Sequence, residues 1–161
     1  MIFVVTQGLL LGCVVSKHGI MIDLERTHTI SKITFPSIKK AMQSFLGKIN
    51  FVRRFIPSFS EIIQPLKNMI KKYLVFNWGN TNKEPFNQIF KTILEAPNLL
   101  SPDFTKDSIL YTFSSDVSYV AVLTQRNQQN YEVPIYFNSS NFKGGKLNYH
   151  EVYKQAFVFL K

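Results

Sequence analysis

Acid is what this chain is short of, and shortest of in one stretch. Its 161 residues carry 10 Asp/Glu against 19 Lys/Arg, a net charge of +9. Residues 26–72 hold ten of the bases (Arg26, Lys32, Lys39, Lys40, Lys48, Arg53, Arg54, Lys67, Lys71, Lys72) and a single acid, Glu61. The remainder is balanced, so the whole excess lies in one internal segment. Such a segment is either a solvated lysine-rich face or an electrostatic footprint for a polyanion. Cysteine is nearly absent. Cys13 stands alone, which excludes an internal disulfide and fits a reducing compartment. The three histidines (His18, His28, His150) lack metal-ligand spacing, so no metal site is expected from them. No apolar run reaches the roughly 20 residues that span a bilayer. The N-terminal MIFVVTQGLLLGCVV has no base before its apolar run, and Thr6, Gln7 and Gly8 interrupt it. It is expected to form buried strands rather than a signal peptide, which implies an intracellular protein of cytoplasm or nucleus with no membrane partner.

What is present suits a packed core: 45% hydrophobic and 14% aromatic residues. Ser16-Lys17-His18-Gly19 is a turn signal between apolar runs and predicts a hairpin. Asp23 is placed to cap a helix over 24–33, which Phe35-Pro36 ends. Ser37 then caps a helix whose Ile38, Ala41, Met42, Phe45, Leu46, Ile49 and Val52 share one face. Gly47, Asn50, Phe51 and Arg54 share another. Pro57 closes it. A further helix starts at Ser60, with a kink or late start at Pro65. Asn80-Thr81-Asn82 offers caps for a helix over 83–95, striped by Phe86, Ile89, Phe90, Ile93 and Leu94. From Ser108 the period changes to two, predicting strands near 108–114, 119–125 and 132–138. Asn148 caps a last helix with Tyr149, Val152, Tyr153, Ala156, Phe157 and Leu160 as its apolar stripe. So few strands leave an open sheet edge, which predicts more sheet beyond Lys161.

Several blocks, in order, resemble one family. LLLGCVVSKHGIMID resembles the end of the palm of Ty3/gypsy-type retrotransposon reverse transcriptases. KKAMQSFLGKINFVRRFIPSFSEIIQPLKNMIKK resembles their thumb, with its SFLG and RRFI blocks. FNWGNTNKEPFNQIFKTILEAPNLLSPDF resembles their connection segment. ILYTFSSDVSYVAVLTQ and PIYFNSSNFKGGKLNYHEVYKQA resemble the start of their RNase H-like domain. The resemblance implies an α/β (α+β) chain: a palm-end hairpin (1–23), a helical thumb-like segment (24–79), a connection (80–107) and a truncated RNase H-like mixed sheet with one helix (108–161). It places the fingers and most of the palm, with the paired polymerase aspartates, upstream of Met1.

The resemblance also implies a lost site. Family RNase H domains grip two divalent metals, Mg²⁺, with converging carboxylates. The first-strand Thr-Asp-Ala-Ser is here Thr112-Phe113-Ser114-Ser115. The helix glutamate falls on Tyr153, with Lys154 matching and Gln155 replacing a second acid. Phe113 and Tyr153 are therefore degenerate catalytic positions, and no cofactor is expected in this chain. Alternation turns Asp116 to the opposite face, and Glu151 lies nearly opposite Tyr153 on the helix, so neither substitutes. Tyr153 also fits an apolar stripe, as plain core. Ser139, Ser140, His150 and Glu151 lack the context of a hydrolase triad. For the thumb, the resemblance implies a minor-groove strip: Gly47 for close approach, Asn50 toward base or sugar edges, Phe51 on sugars, and Lys40, Lys48, Arg53 and Arg54 toward phosphates. The alternative is that Phe51 and Arg53 pack within the protein. The expected partner is duplex or RNA/DNA hybrid, bound non-specifically, together with other parts of a Pol polyprotein. The expected function is a catalytically inactive piece of a reverse transcriptase/RNase H polyprotein. Its rivals are a component of an active polymerase/RNase H completed by missing sequence, a binding module that keeps only the thumb, and a poorly folding product.

Overall fold

The computed structural model describes residues 6–160, without the side chains of Asn80 and Thr81. The strand expected at residues 1–5 lies outside the described residues. Strands β1 (Gln7–Leu10), β2 (Cys13–Ser16) and β3 (Gly19–Ile22) form an antiparallel sheet. Ser16 and Gly19 pair across the expected turn. A second turn, Leu11-Gly12, has φ of 52° and 82°, the left-handed pair that a tight two-residue hairpin demands. This apolar run forms strands, but it is not buried: Leu9 is 67% exposed and Leu11 82%. Cys13 of β2 is buried, and Ile20 and Ile22 of β3 pack against the core.

Helix α1 (Leu24–Ser31) follows, then α2 (Lys39–Ile49), which buries Met42, Phe45 and Ile49. Ile38, not Ser37, is the N-cap of α2, and it is exposed. The α-helix then tightens into a 3-10 helix, Asn50–Phe55, which buries Val52 and Phe55. The next expected helix is split. α3 (Phe59–Ile62) and α4 (Gln64–Met69) are separate, with Pro65 in the first turn of α4, where its missing N–H costs nothing. α5 (Asn80–Leu94) seats Phe86, Ile89 and Ile93 in the core, whereas Leu94 is exposed. Phe35, Phe45, Trp78, Phe86 and Phe90 pack ring against ring, and Trp78 Nε1 donates to the Pro36 carbonyl at 2.6 Å.

Leu99 makes two backbone bonds with Ile20 (2.8 and 2.9 Å), and the Leu100 N–H donates to the Pro134 carbonyl at 2.8 Å. This short connection stitches the first sheet to the second. The second sheet is antiparallel: β4 (Ile109–Ser114), β5 (Ser118–Arg126) and β6 (Glu132–Asn141), in that order. Register puts Tyr111, Val122 and Phe137 on one face, and Phe137 and Val122 join the helical core there. Thr112, Ala121 and Asn138 share the other face, which α6 (Glu151–Phe159) covers through a cluster of Tyr119, Phe142, Phe157 and Val158.

The α6 stripe expected from the sequence is corrected. Lys154 and Val158 are the buried positions, while Val152 and Tyr153 are each 68% exposed. Tyr153 is therefore not core. The reason is Lys154. Its ammonium reaches the Asp116 carbonyl at 2.9 Å, pairs with the Asp116 carboxylate at 3.6 Å and lies 5.6 Å from the centre of the Phe142 ring. A satisfied charge rotates the helix away from its most apolar face. Asn148 ends a 3-10 helix, Gly144–Asn148, and His150 is the N-cap of α6.

Candidate nucleic-acid interface and the substituted carboxylate positions

The basic face is built by α2 and the 3-10 helix that continues it. Lys40, Gly47 and Lys48 are exposed on α2, and a Cβ built on Gly47 meets nothing within 4 Å. Asn50, Arg53 and Arg54 are exposed on the 3-10 helix. The change to 3.0 residues per turn breaks the single α-helical strip that the 3–4 spacing implies. Arg53 turns toward the second sheet, and its Nη2 donates to the Ser139 carbonyl at 3.3 Å. Phe51 is half-buried against the core, and the Arg26 guanidinium lies over its ring, 4.4 Å from the centroid. Both residues are thus engaged within the protein, and Phe51 does not offer an open face to sugars. Arg26, which the helix periodicity could not bring to this surface, stands there instead.

Charge on this face is uncompensated. Among the described residues the ion pairs are Lys106–Asp103 and Lys154–Asp116, so no base of residues 26–72 has an acid within pairing distance. The single acid of that segment, Glu61, accepts a hydrogen bond from the Ser118 hydroxyl on the second sheet. Burial pushes the Cys13 thiol above its ordinary value of 9.0, and the Arg54 and then the Arg26 charge pull it back. Both guanidiniums therefore act on one buried point. Burial lowers the Lys67 ammonium, and the Arg53 and Lys143 charges add to that effect.

Helices α3 and α4 dock on the second sheet through a polar seam. The buried Ser60 N–H donates to Ser139 Oγ at 3.0 Å, and Asn141 Nδ2 donates to Gln64 Oε1 at 2.9 Å. Ser139 is thus a structural acceptor.

On the sheet, Phe113 is 63% exposed and shares its face with Val120 and Ser139. That is not the face α6 covers. Asp116 sits in the turn after β4, paired with Lys154, and Glu151 is exposed at the start of α6. Gln155 is half-buried. Among the described residues no group of three or more His, Cys, Asp or Glu side chains converges. Aromatic rings do not ligate divalent ions, so Phe113 and Tyr153 do not fit as holders of the Mg²⁺ pair that the resemblance implies.

The model of the RNase H-like domain found in reverse transcriptase matches residues 78–161. The chain belongs to this family. It is similar to the Transposon Tf2-3 and Tf2-4 polyproteins of Schizosaccharomyces pombe (strain 972 / ATCC 24843), each 29% identical over 156 residues. The match covers 97% of this chain and 12% of each polyprotein, so the chain spans about an eighth of those relatives. Among solved structures it is similar to the foamy viral protease-reverse transcriptase in complex with dsDNA, with TM-score 0.80 and 25% identity over 96% of this chain and 32% of that one. The same viral protein in complex with an RNA/DNA hybrid gives TM-score 0.81 and 25% identity over 96% of this chain and 21% of that one. The Ty3/gypsy-type resemblance and the mixed helix-and-sheet class both agree with these reverse transcriptase relatives.

Proposed function

We propose that this member of the reverse transcriptase RNase H-like family binds nucleic-acid duplex, RNA/DNA hybrid included, without reading sequence and without cleaving it. The supporting observation is the basic face, where exposed bases stand without acid partners beside an open Gly47. Unpaired bases on one face neutralise phosphates and release counterions, a term blind to base identity. That the foamy viral neighbours are complexes with dsDNA and RNA/DNA hybrid favours the same partner class. Absence of cleavage follows from Phe113 and Tyr153, since aromatic rings do not ligate divalent ions.

Titration of a labelled hybrid against salt tests the reading. Affinity should fall steeply as salt rises, and Arg54→Ala should weaken binding and flatten the slope by about 1. Hybrid incubated with Mg²⁺ or Mn²⁺ should stay intact. No binding at low salt, or cleavage by purified protein, rejects the proposal. A second reading, a component of an active polymerase/RNase H completed by other sequence, draws on the 12% span of the polyprotein relatives. An open frame upstream of Met1 carrying the paired polymerase aspartates would favour it.

A further inference from the structure

Arg26 is fixed in place while its donors remain unspent. Its guanidinium lies 4.4 Å from the Phe51 ring centroid. Its side chain also crosses the Leu11-Gly12 turn so closely that a Cβ on Gly12 would stand 2.6 Å from Arg26 Cδ and 2.7 Å from Nη1. An aromatic ring and a bare glycine backbone thus hold the planar group. The ring accepts no strong hydrogen bond, the Gly12 carbonyl takes the Asp23 N–H at 3.2 Å, and no described acceptor takes an Arg26 N–H group. Arg54 is likewise without a described acceptor or acid. Both charges act on Cys13, as Asp23 does with the opposite sign, yet Asp23 is not within pairing distance of either. Two like charges brought to one patch repel, and an ordered guanidinium has already given up rotamer freedom. A planar fork of free donors, stacked and oriented, matches the oxygen pair of a phosphodiester.

We propose that Arg26 is a phosphate contact of the duplex-binding face, paired with Arg54, and that Phe51 and Gly12 are its positioning residues. The nucleic-acid surface then spans α1, the first hairpin turn and the 3-10 helix rather than one helical strip. This rests on the duplex-binding reading above and adds a residue and a geometry to it.

The test is a double-mutant cycle on hybrid binding across a salt series, using the full chain. Arg26→Ala should weaken binding and lower the salt slope by about 1. Arg26→Lys should restore the slope but only part of the affinity, because a point charge lacks the fork. Phe51→Leu should weaken binding in the parent and add nothing in the Arg26→Ala background. A Phe51 effect of equal size in both backgrounds means the ring acts on its own, which overturns its positioning role. An unchanged slope in Arg26→Ala, while Lys48→Ala and Arg54→Ala lower it, overturns the inference and leaves the duplex reading intact. No binding by the parent at low salt ends both. Lys91→Ala, on the exposed side of α5, should match the parent. Thermal melting of each variant shows that it is folded.

Discussion

A methyl group at Gly19 would break the join between the two sheets. Gly19 has φ of 139°, a conformation L side chains rarely adopt, and a Cβ there would overlap the Leu99 carbonyl oxygen. That carbonyl accepts from Ile20, so neither side can retreat without losing the stitch. Gly19→Ala should cost about 2–3 kcal/mol in chemical denaturation, from strain plus the lost bond. Gly145→Ala, where a Cβ meets nothing within 4 Å, should stay within about 0.5 kcal/mol of the parent. A second residue-scale effect is visible in acid. The Thr105 hydroxyl, its N–H and then Lys106 hold the Asp103 carboxyl below its ordinary value of 3.8. Its stabilisation is therefore complete above 3.8 and is lost as pH falls through the lower folded value. Asp103→Asn should melt below the parent near neutral pH, and the gap should close as pH falls from about 5 to 2. A gap that persists at the acid end would mean the charge is not what matters.

The elements of this chain were legible where period and sequence breakers agreed, and illegible where a single polar contact set the orientation. Met42, Phe45 and Ile49 fall on the buried face of α2 as their spacing dictates, and Pro65 marks the split between α3 and α4. The 3-10 tightening at Asn50 is not encoded in apolar spacing, because Val52 and Phe55 are buried at intervals compatible with either helix. The stripe on α6 misled for a physical reason: Lys154 contacts Asp116 and Phe142, and turning it inward carries Tyr153 out. Arg26 was invisible as a site residue because its partner, Phe51, is 25 positions away and on another element. One consequence concerns the substituted site. Phe113 and Tyr153 are both exposed, so Phe113→Asp with Tyr153→Glu should change stability by less than about 0.5 kcal/mol per position. The pair should also leave hybrid cleavage at background. Two carboxylates are too few for two metals, and β4 turns position 113 away from the face under α6. Cleavage by that double variant would show that the rest of the metal site persists. Val158→Ala, by contrast, removes a side chain 2% exposed and should cost about 1–3 kcal/mol by denaturation.

Across the whole molecule, one apolar cluster crosses every boundary that the motifs suggest. It runs from Cys13 on the first sheet through Ile30, Met42, Phe45 and Leu66 of the helices to Phe86 and Ile89 of α5, then Leu99 and finally Phe137 on the second sheet. The polar seam at Ser139, Gln64 and Glu61 runs alongside it. The first sheet, the helices, Leu99 and one face of the second sheet therefore share a core, while the other face of the second sheet packs on α6 through a separate cluster. Such sharing couples these elements on unfolding, so the chain is expected to unfold in one step. Three probes report on separate regions. Trp78 fluorescence follows the aromatic cluster, Cys13 alkylation follows the first sheet, and far-UV circular dichroism follows the whole. Their denaturant midpoints should coincide. A Cys13 transition well below the Trp78 transition would show that the first sheet opens by itself. The Gly12 turn would then part from Phe51, and the Arg26 contact would depend on an equilibrium rather than on a fixed surface.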